Sequence, residues 1–127
     1  MPHISHIALW TTDLERMKSF YQTWFDAQAG EKYTNPNTGF QSYFLHFESD
    51  PPLEIMTGPE VNASSSGKLN GYAHIAFALG SKEAVITLTE KMREAVVVVL
   101  SAPRTTGDGY FESVIADPDG NPVEITA

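Results

Sequence analysis

The run HIALW at residues 6–10 returns as HIAFA at residues 74–78, and this repetition decides the fold. Each run begins with a histidine and has the apolar, alternating character of a β-strand. Each is followed, after nearly the same interval, by a glutamate inside a short apolar segment: Glu54 stands 48 residues after His6, and Glu124 stands 50 residues after His74. A pattern that recurs in this way predicts a duplicated structural unit.

The first copy predicts a strand, a helix and three further strands. The helix is indicated by apolar side chains at helical spacing from Leu14 to Trp24. Thr12 with Glu15 three residues later has the spacing of a capping box. The predicted elements are a strand at residues 3–10, a helix from about Asp13 to Phe25, a weak strand near residues 28–34, and strands at Gln41–Glu48 and Pro52–Thr57.

The second copy predicts the same order of elements. Ser81 is a suitable N-cap for a helix, and the β-branched run of valines that follows is typical of a strand. The predicted elements are a strand at Tyr72–Leu79, a helix with Val85, Leu88 and Met92 on one face, a strand at Val96–Val99, a loop at Arg104–Gly109, a strand at Tyr110–Ala116, a turn at Asp117–Asn121 and a last strand entered through Pro122.

The sequence therefore predicts an α+β fold built from two βαβββ modules. We expect a single domain over residues 1–127, with module one at 1–58, a linker at 59–70 and module two at 71–127. The polar run Ser64–Gly67 marks the centre of the linker. Because each module has an apolar face on one side of its sheet, it must pack on the other module or on a second subunit.

The composition excludes several function classes. With 8 basic and 16 acidic residues the formal charge is −8, which disfavours nucleic acids and anionic membranes as partners. The absence of cysteine excludes disulfides and thiolate chemistry. No secretory signal and no stretch long enough for a membrane span are recognised. We expect a cytoplasmic protein that acts on a small molecule.

Four residues are candidate ligands of a divalent metal: His6, Glu54, His74 and Glu124. Two imidazoles and two carboxylates neutralise such a cation and leave about two octahedral positions free. A single histidine or glutamate of this kind is more often a core residue or a solvent-facing strand position. Four at matched positions in two repeats favour a metal site, and glutamates in apolar strands are costly unless they are paired, exposed or metal-bound.

The chain resembles the vicinal oxygen chelate superfamily, which includes glyoxalases, bleomycin-resistance proteins and extradiol dioxygenases. The resemblance rests on the opening at residues 6–8, the helix at 13–21, the block at 71–76 and the ending DPDGNPVE at 117–124. It implies paired modules that form a curved mixed sheet around a central cleft, completed by a homodimer. The full set of two histidines and two glutamates is most similar to short bacterial glyoxalase I proteins.

The resemblance also implies a reaction. A glyoxalase I-like lyase or isomerase stabilises the ene-diolate that forms when a hydroxy-carbonyl or hemithioacetal loses a proton next to its carbonyl. By resemblance, Glu124 is the catalytic base and Glu54 its counterpart on the opposite face of the substrate. Ligands of nitrogen and oxygen without sulfur admit nickel, cobalt, zinc, manganese or iron.

The substrate is less well defined by the sequence. Glyoxalase I proteins of this type carry an arginine four residues after the first histidine and an asparagine four after the first glutamate. Trp10 and Gly58 stand at these places, and both departures count against glutathione. Arg104 can bind a carboxylate or phosphate or can be a solvated loop residue. The remaining candidates for the substrate cleft are Trp10, Phe44, Met56 and Tyr110.

Other members of the superfamily provide the alternatives. An extradiol dioxygenase needs two histidines and one carboxylate, so the extra Glu54 argues against it. A fosfomycin thiol transferase generally lacks the second carboxylate, and an acyl-coenzyme A epimerase usually carries glutamine in place of Glu54. A drug-binding protein of the bleomycin-resistance type generally lacks the metal ligands and would be the conclusion if no metal bound.

Overall fold

The computed structural model describes residues 1–63, 68 and 70–127. The chain divides into two compact units, Met1–Ser65 and Ser66–Ala127. The run Ser64–Gly67, predicted to be the centre of the linker, lies outside the described residues. Among the described residues no helix is long and apolar enough to cross a membrane.

The first unit is a mixed sheet with one helix. Its sheet runs in the order β1-β5-β4-β2, and β3 pairs with β4. Strands β1 and β5 are parallel, whereas β4 is antiparallel to β5. The elements are β1 (Ile7–Trp10), α1 (Leu14–Phe25), β2 (Gln28–Ala29), β3 (Tyr33–Thr34), β4 (Gln41–His46) and β5 (Leu53–Thr57).

The second unit repeats this arrangement with a sheet in the order β6-β9-β8-β7. Strands β6 and β9 are parallel, and the other pairs are antiparallel. The elements are β6 (Ile75–Ala78), α2 (Lys82–Glu94), β7 (Val99–Thr105), β8 (Phe111–Ala116) and β9 (Pro122–Thr126). The predicted α+β class is confirmed, with two mixed sheets.

The helix in each unit covers one face of the sheet and leaves the other face open. In β5, Leu53 and Ile55 are buried at 2% and 0% exposure, while Glu54 between them is half-buried. In β9, Val123 and Ile125 are both fully buried. Because neighbouring side chains on a strand point to opposite faces, Glu54 and Glu124 lie on the open faces.

The start of α1 differs from the predicted capping box. Asp13 is the N-cap, and its Oδ1 accepts a hydrogen bond of 3.1 Å from the backbone N–H of Arg16. The hydroxyl of Thr11 accepts from the N–H of Asp13 at 3.2 Å. The prediction from Thr12 and Glu15 was one residue too early, because aspartate and threonine are both competent caps and the sequence offers three in a row.

The strand predicted at Val96–Val99 was wrong, because the chain uses the first of these valines to end a helix. Val96 has a left-handed φ of 65°, and the N–H of Val97 donates to the carbonyl of Met92 at 2.9 Å. This closure is the usual way to end a helix, although glycine is the residue that normally adopts it. The strand begins at Val99 and continues to Thr105, so Arg104 lies in β7 rather than in a loop.

Candidate metal centre

In the first unit, His6 and Glu54 come together through the parallel pair β1 and β5. Ala8 pairs with Glu54, and the Nε2 atom of His6 lies 3.8 Å from Oε1 of Glu54. The sequence predicted a strand at residues 3–10 that includes His6, but β1 begins at Ile7 and His6 directly precedes it. The register places residue 6 opposite Pro52, and a proline has no N–H to extend the ladder.

In the second unit, His74 and Glu124 have the same relationship. Ala76 pairs with Glu124 across β6 and β9, and Nε2 of His74 lies 3.3 Å from Oε2 of Glu124. His74 also precedes its strand, and the register places it opposite Pro122. The two pairs are therefore equivalent positions of a duplicated unit.

Both pairs are accessible from the open face of their own sheet. The side chains of His6 and His74 are 43% and 42% exposed, whereas those of Glu54 and Glu124 are 15% and 21% exposed. The residue that follows each histidine on the same face is an alanine, Ala8 or Ala76, which leaves space beside the imidazole. An exposed imidazole nitrogen beside a mostly buried carboxylate is a chemically suitable pair of donors.

The donor spacing in the second unit fits adjacent ligands of one ion. Two donors that each lie about 2.1 Å from a metal, at octahedral or tetrahedral angles, are about 3.0–3.4 Å apart. The pair in the second unit falls in that range, and the pair in the first unit is slightly wider. Among the described residues no three histidine, aspartate or glutamate side chains form a cluster that could hold a metal. Each unit by itself brings two candidate donors together.

Two of the predicted substrate residues surround the first pair. Phe44 of β4 pairs with Glu54, and its ring meets that of His6 edge-on with the centroids 5.6 Å apart. Met56 lies two residues after Glu54 and pairs with Trp10 across β1 and β5. Phe44, Met56 and Trp10 therefore lie on the same face of the first sheet as Glu54.

The other predicted residues are distributed between the two units. Trp10 is 57% exposed at the end of β1, and Tyr110 is 62% exposed just before β8. Arg104 pairs with Glu112 between β7 and β8. Arg104 therefore lies on the second sheet, one strand beyond the strand next to Glu124.

Glu112 is a site residue that the sequence analysis missed. It pairs with Thr126, so it lies on the open face of the second sheet, diagonal to Glu124. Burial and then the negative charge and hydrogen bond of Glu124 raise the pKa of Glu112, with a smaller contribution from Asp108 and an opposing one from Arg104. Glu112 and Val114 are two residues apart on β8 and therefore lie on the same face. Because Val114 pairs with Glu124, the position of Glu112 near Glu124 could be recognised once the strand register was known.

Comparison with known proteins places the chain among relatives along nearly its whole length. The profile of the Glyoxalase/Bleomycin resistance protein/Dioxygenase superfamily matches residues 3–125. Uncharacterized protein PA2024 of Pseudomonas aeruginosa is 30% identical over 133 residues, which cover 98% of this chain and 88% of that protein.

Solved structures of the same fold come from proteins with different names and activities. A glyoxalase family protein from Enterococcus faecalis has a TM-score of 0.81 at 23% identity, over 98% of this chain and 97% of that one. The trypanothione-dependent glyoxalase I of Leishmania major has a TM-score of 0.78 at 22% identity, over 99% and 86%. The fosfomycin resistance protein FosX of Listeria monocytogenes has a TM-score of 0.72 at 23% identity, over 98% and 90%.

At these identities the structural matches show the fold alone, while the profile match covers almost every residue. Together with the repeated βαβββ units, it identifies the family. The chain belongs to the Glyoxalase/Bleomycin resistance protein/Dioxygenase superfamily.

Proposed function

We propose that this protein is a metal-dependent lyase or isomerase of the glyoxalase I type, acting on a small hydroxy-carbonyl or hemithioacetal. One observation carries the proposal: the same histidine–glutamate pair stands at the equivalent place in both units, 3.8 Å apart in the first and 3.3 Å apart in the second. A histidine that only filled the core would not need a glutamate beside it in both units. A metal that takes two donors from each unit would need this pairing.

His6, His74, Glu54 and Glu124 would hold the ion, with the imidazoles bound through their neutral form. A divalent cation supplies Lewis-acid stabilisation of the enolate charge that develops when a carbonyl substrate loses its adjacent proton. The four donors come from one chain or from two chains of a dimer, and the ion is nickel, cobalt, zinc, manganese or iron.

Glu124 is the proposed base, and Glu54 is its counterpart. Both carboxylates are mostly buried and lie beside an imidazole, which suits a group that takes a proton from a bound substrate and returns it. Glu124 additionally has the carboxyl group of Glu112 as a hydrogen-bonding neighbour. That neighbour distinguishes the two glutamates and supports the unequal roles.

We also propose that the protein works as a homodimer in the cytoplasm. The dimer follows from the family resemblance, and the cytoplasm is compatible with a chain that has no cysteine and no membrane-spanning helix among its described residues. Light scattering of the purified protein tests the dimer: a monomer at micromolar concentration would contradict it.

The proposed activity is tested by a screen of the protein loaded with each of the five metals. Substrates are hemithioacetals of methylglyoxal with several thiols, simple hydroxy-ketones, catechols, and fosfomycin with a thiol. We expect turnover of a hemithioacetal or hydroxy-ketone that depends on the metal. Turnover of catechol with oxygen would favour the dioxygenase alternative, and turnover of fosfomycin would favour the thiol transferase. Tight binding of a ligand without turnover or metal would favour a sequestering protein.

A further inference from the structure

The first unit contains a pocket of about 340 Å³ beyond the His6–Glu54 pair. The end of β1 forms one wall through Trp10, and the loop before β4 forms a second through Phe40. The third wall is the segment after β5, with Gly58, Pro59 and Val61. A pocket of this size accommodates one substituted aromatic ring or a branched aliphatic group.

The aromatic wall is held in a defined geometry. The ring of Phe40 meets the indole of Trp10 edge-on at 90°, with centroids 6.2 Å apart. The ring of Tyr33 also packs against that of Phe40, with the centroids 6.1 Å apart. The N–H of Thr11 donates to the carbonyl of Met56 at 2.9 Å and fixes the backbone next to Trp10.

The two loops are hydrogen-bonded turns. The N–H of Asn35 donates to the carbonyl of Phe40 at 2.8 Å, and that of Val61 donates to the carbonyl of Gly58 at 3.1 Å. Gly39, with a φ of 77°, lies against Pro59, whose Cγ would be only 3.1 Å from a Cβ at that position. The pocket is thus formed before any ligand binds, which reduces the entropic cost of binding.

The charge of the pocket selects against anions. Among the described residues that line it, Glu60 is charged and there is no lysine or arginine. The remaining lining is aromatic, aliphatic or hydroxyl-bearing. A carboxylate placed here would lose hydration without a cation to compensate it.

The pocket lies along the same strands as the metal-binding pair. Trp10 pairs with Met56, and Ala8 pairs with Glu54 two residues earlier. A strand rises about 3.3 Å per residue, so the Trp10–Met56 pair lies about 7 Å from the Ala8–Glu54 pair. A substrate with its reacting oxygens near Glu54 therefore reaches the pocket with an arm the length of one ring.

We propose that this pocket is the specificity subsite of the protein and that it receives an uncharged aromatic or branched aliphatic arm of the substrate. The inference rests on the proposed function for the place of the reacting group, but the pocket's preference for neutral over anionic rings does not depend on the metal. It narrows the substrate class to hydroxy-carbonyl compounds or thiol adducts that carry such an arm.

The test follows the indole N–H signal of Trp10 by NMR, assigned by comparison with Trp10→Phe. In the metal-free protein, benzyl alcohol and benzoate are compared as neutral and anionic rings. In the zinc-loaded protein, α-hydroxyacetophenone and hydroxyacetone are compared, since they share the chelating oxygens and differ by the ring. The variants are Val61→Asp and Phe40→Ala, which both alter the lining of the pocket and keep Trp10 as the reporter. Ile86→Asp is the matched control, because Ile86 is 51% exposed on α2 of the other unit.

We expect benzyl alcohol to bind at least about tenfold more tightly than benzoate, and the ring to strengthen binding of the hydroxy-ketone by about tenfold. Val61→Asp and Phe40→Ala should each remove most of the ring's contribution to binding, while Ile86→Asp should not. Equal binding of benzoate and benzyl alcohol, or a ring effect that survives both variants, would overturn the proposal. If zinc fails to bind, the comparison in the metal-free protein still decides the pocket, whereas only the failure of all five metals to bind would overturn the proposed function.

Discussion

The Nε2 atom of His74 lies 3.3 Å from Oε2 of Glu124, across the parallel strands β6 and β9. The same strand relationship holds His6 and Glu54 at 3.8 Å in the other unit. In both units the histidine directly precedes the edge strand. The glutamate lies on the strand beside it, two residues after a proline, which is Pro52 in the first unit and Pro122 in the second. This equivalence is the basis of the proposed metal chemistry.

Replacement of Glu124 by glutamine should abolish turnover. The amide keeps the size of the side chain and removes the basic oxygen, and general bases contribute about a hundredfold to ten-thousandfold to a rate. The measurement is kcat on the substrate found in the screen, with metal content determined in parallel. Glu83→Gln, on the exposed first turn of α2, is the control. Near-wild-type kcat for Glu124→Gln with metal bound would show that another group is the base.

Replacement of Glu112 by glutamine should stabilise the metal-free protein at neutral pH. The pKa of Glu112 is raised by burial and by Glu124, so its carboxylate form is disfavoured in the fold. The stabilisation that a raised pKa represents is present below the unfolded value of about 4.3 and is lost as the pH rises through the folded pKa. The Glu112→Gln variant should therefore be more stable than wild type at pH values above the folded pKa of Glu112, and the difference should vanish below about pH 4.

The measurement for Glu112 is the thermal midpoint of wild type and variant across that pH range. Glu31→Gln, an exposed residue of the first unit, should change the midpoint little at any pH. A destabilising effect of Glu112→Gln at neutral pH would mean that the carboxylate makes a favourable contact that outweighs its burial.

Replacement of Tyr43 by phenylalanine should destabilise the first unit in a pH-dependent way. The Tyr43 hydroxyl donates to Oε1 of Glu15 at 2.8 Å and accepts from Nζ of Lys18 at 3.3 Å. The hydrogen bond from Tyr43 is the largest contribution and lowers the pKa of Glu15. Burial opposes it, and the charges of Lys18 and Lys32 lower the pKa further, so that the net shift is downward. A lowered carboxyl pKa stabilises the fold above the unfolded value, and this stabilisation is lost as the pH falls through the folded pKa.

We expect a loss of about 0.5–1 kcal/mol at neutral pH, at the lower end because the Glu15 side chain is 55% exposed. Urea unfolding at neutral pH and at about pH 3 gives the comparison. Tyr33→Phe is the control, since Tyr33 is 54% exposed. An equal loss at both pH values would assign the effect to packing of the ring rather than to the Glu15 hydrogen bond.

Truncation of Ile125 to alanine should be among the most destabilising single changes. Ile125 is fully buried on β9, between the sheet and α2, so the variant loses transfer free energy and leaves a cavity, at a cost of about 2–5 kcal/mol. Ile86→Ala, on the exposed side of α2, should stay within about 0.5 kcal/mol of wild type. Denaturant unfolding measures both, and a cost below that of Ile86→Ala would contradict the burial of Ile125.

The order of elements could be predicted from the sequence because each is carried by a local signal. The helical spacing from Leu14 onward and the cap at Ser81 have this character, and both helices were found. The four candidate ligands were also visible, because the repeat marks them in pairs. The sequence alone could not show that each histidine lies close to its glutamate, because this depends on the parallel register between the edge strand and its neighbour.

The predictions from the sequence that were wrong or incomplete have local physical causes. The valines after α2 have strong β-propensity, but the helix needs a residue to close its last turn and Val96 serves that purpose in a left-handed conformation. Glu112 was missed because its relation to Glu124 is set by pairing across two strands rather than by spacing along the chain. The pocket at Trp10 joins three separate segments, which a linear pattern cannot bring together.

Analysis of bound metal is the direct test of whether the two histidine–glutamate pairs bind a divalent cation. The protein is stripped with chelator, loaded separately with nickel, cobalt, manganese, iron and zinc, and analysed for bound metal beside His6→Ala and His74→Ala variants, with the exposed His3→Ala as control. We expect about one equivalent of metal per chain for at least one of the five metals, loss of binding in both variants, and retention of binding in the control. No binding of any metal by wild type, or equal binding by wild type and both variants, would contradict this expectation.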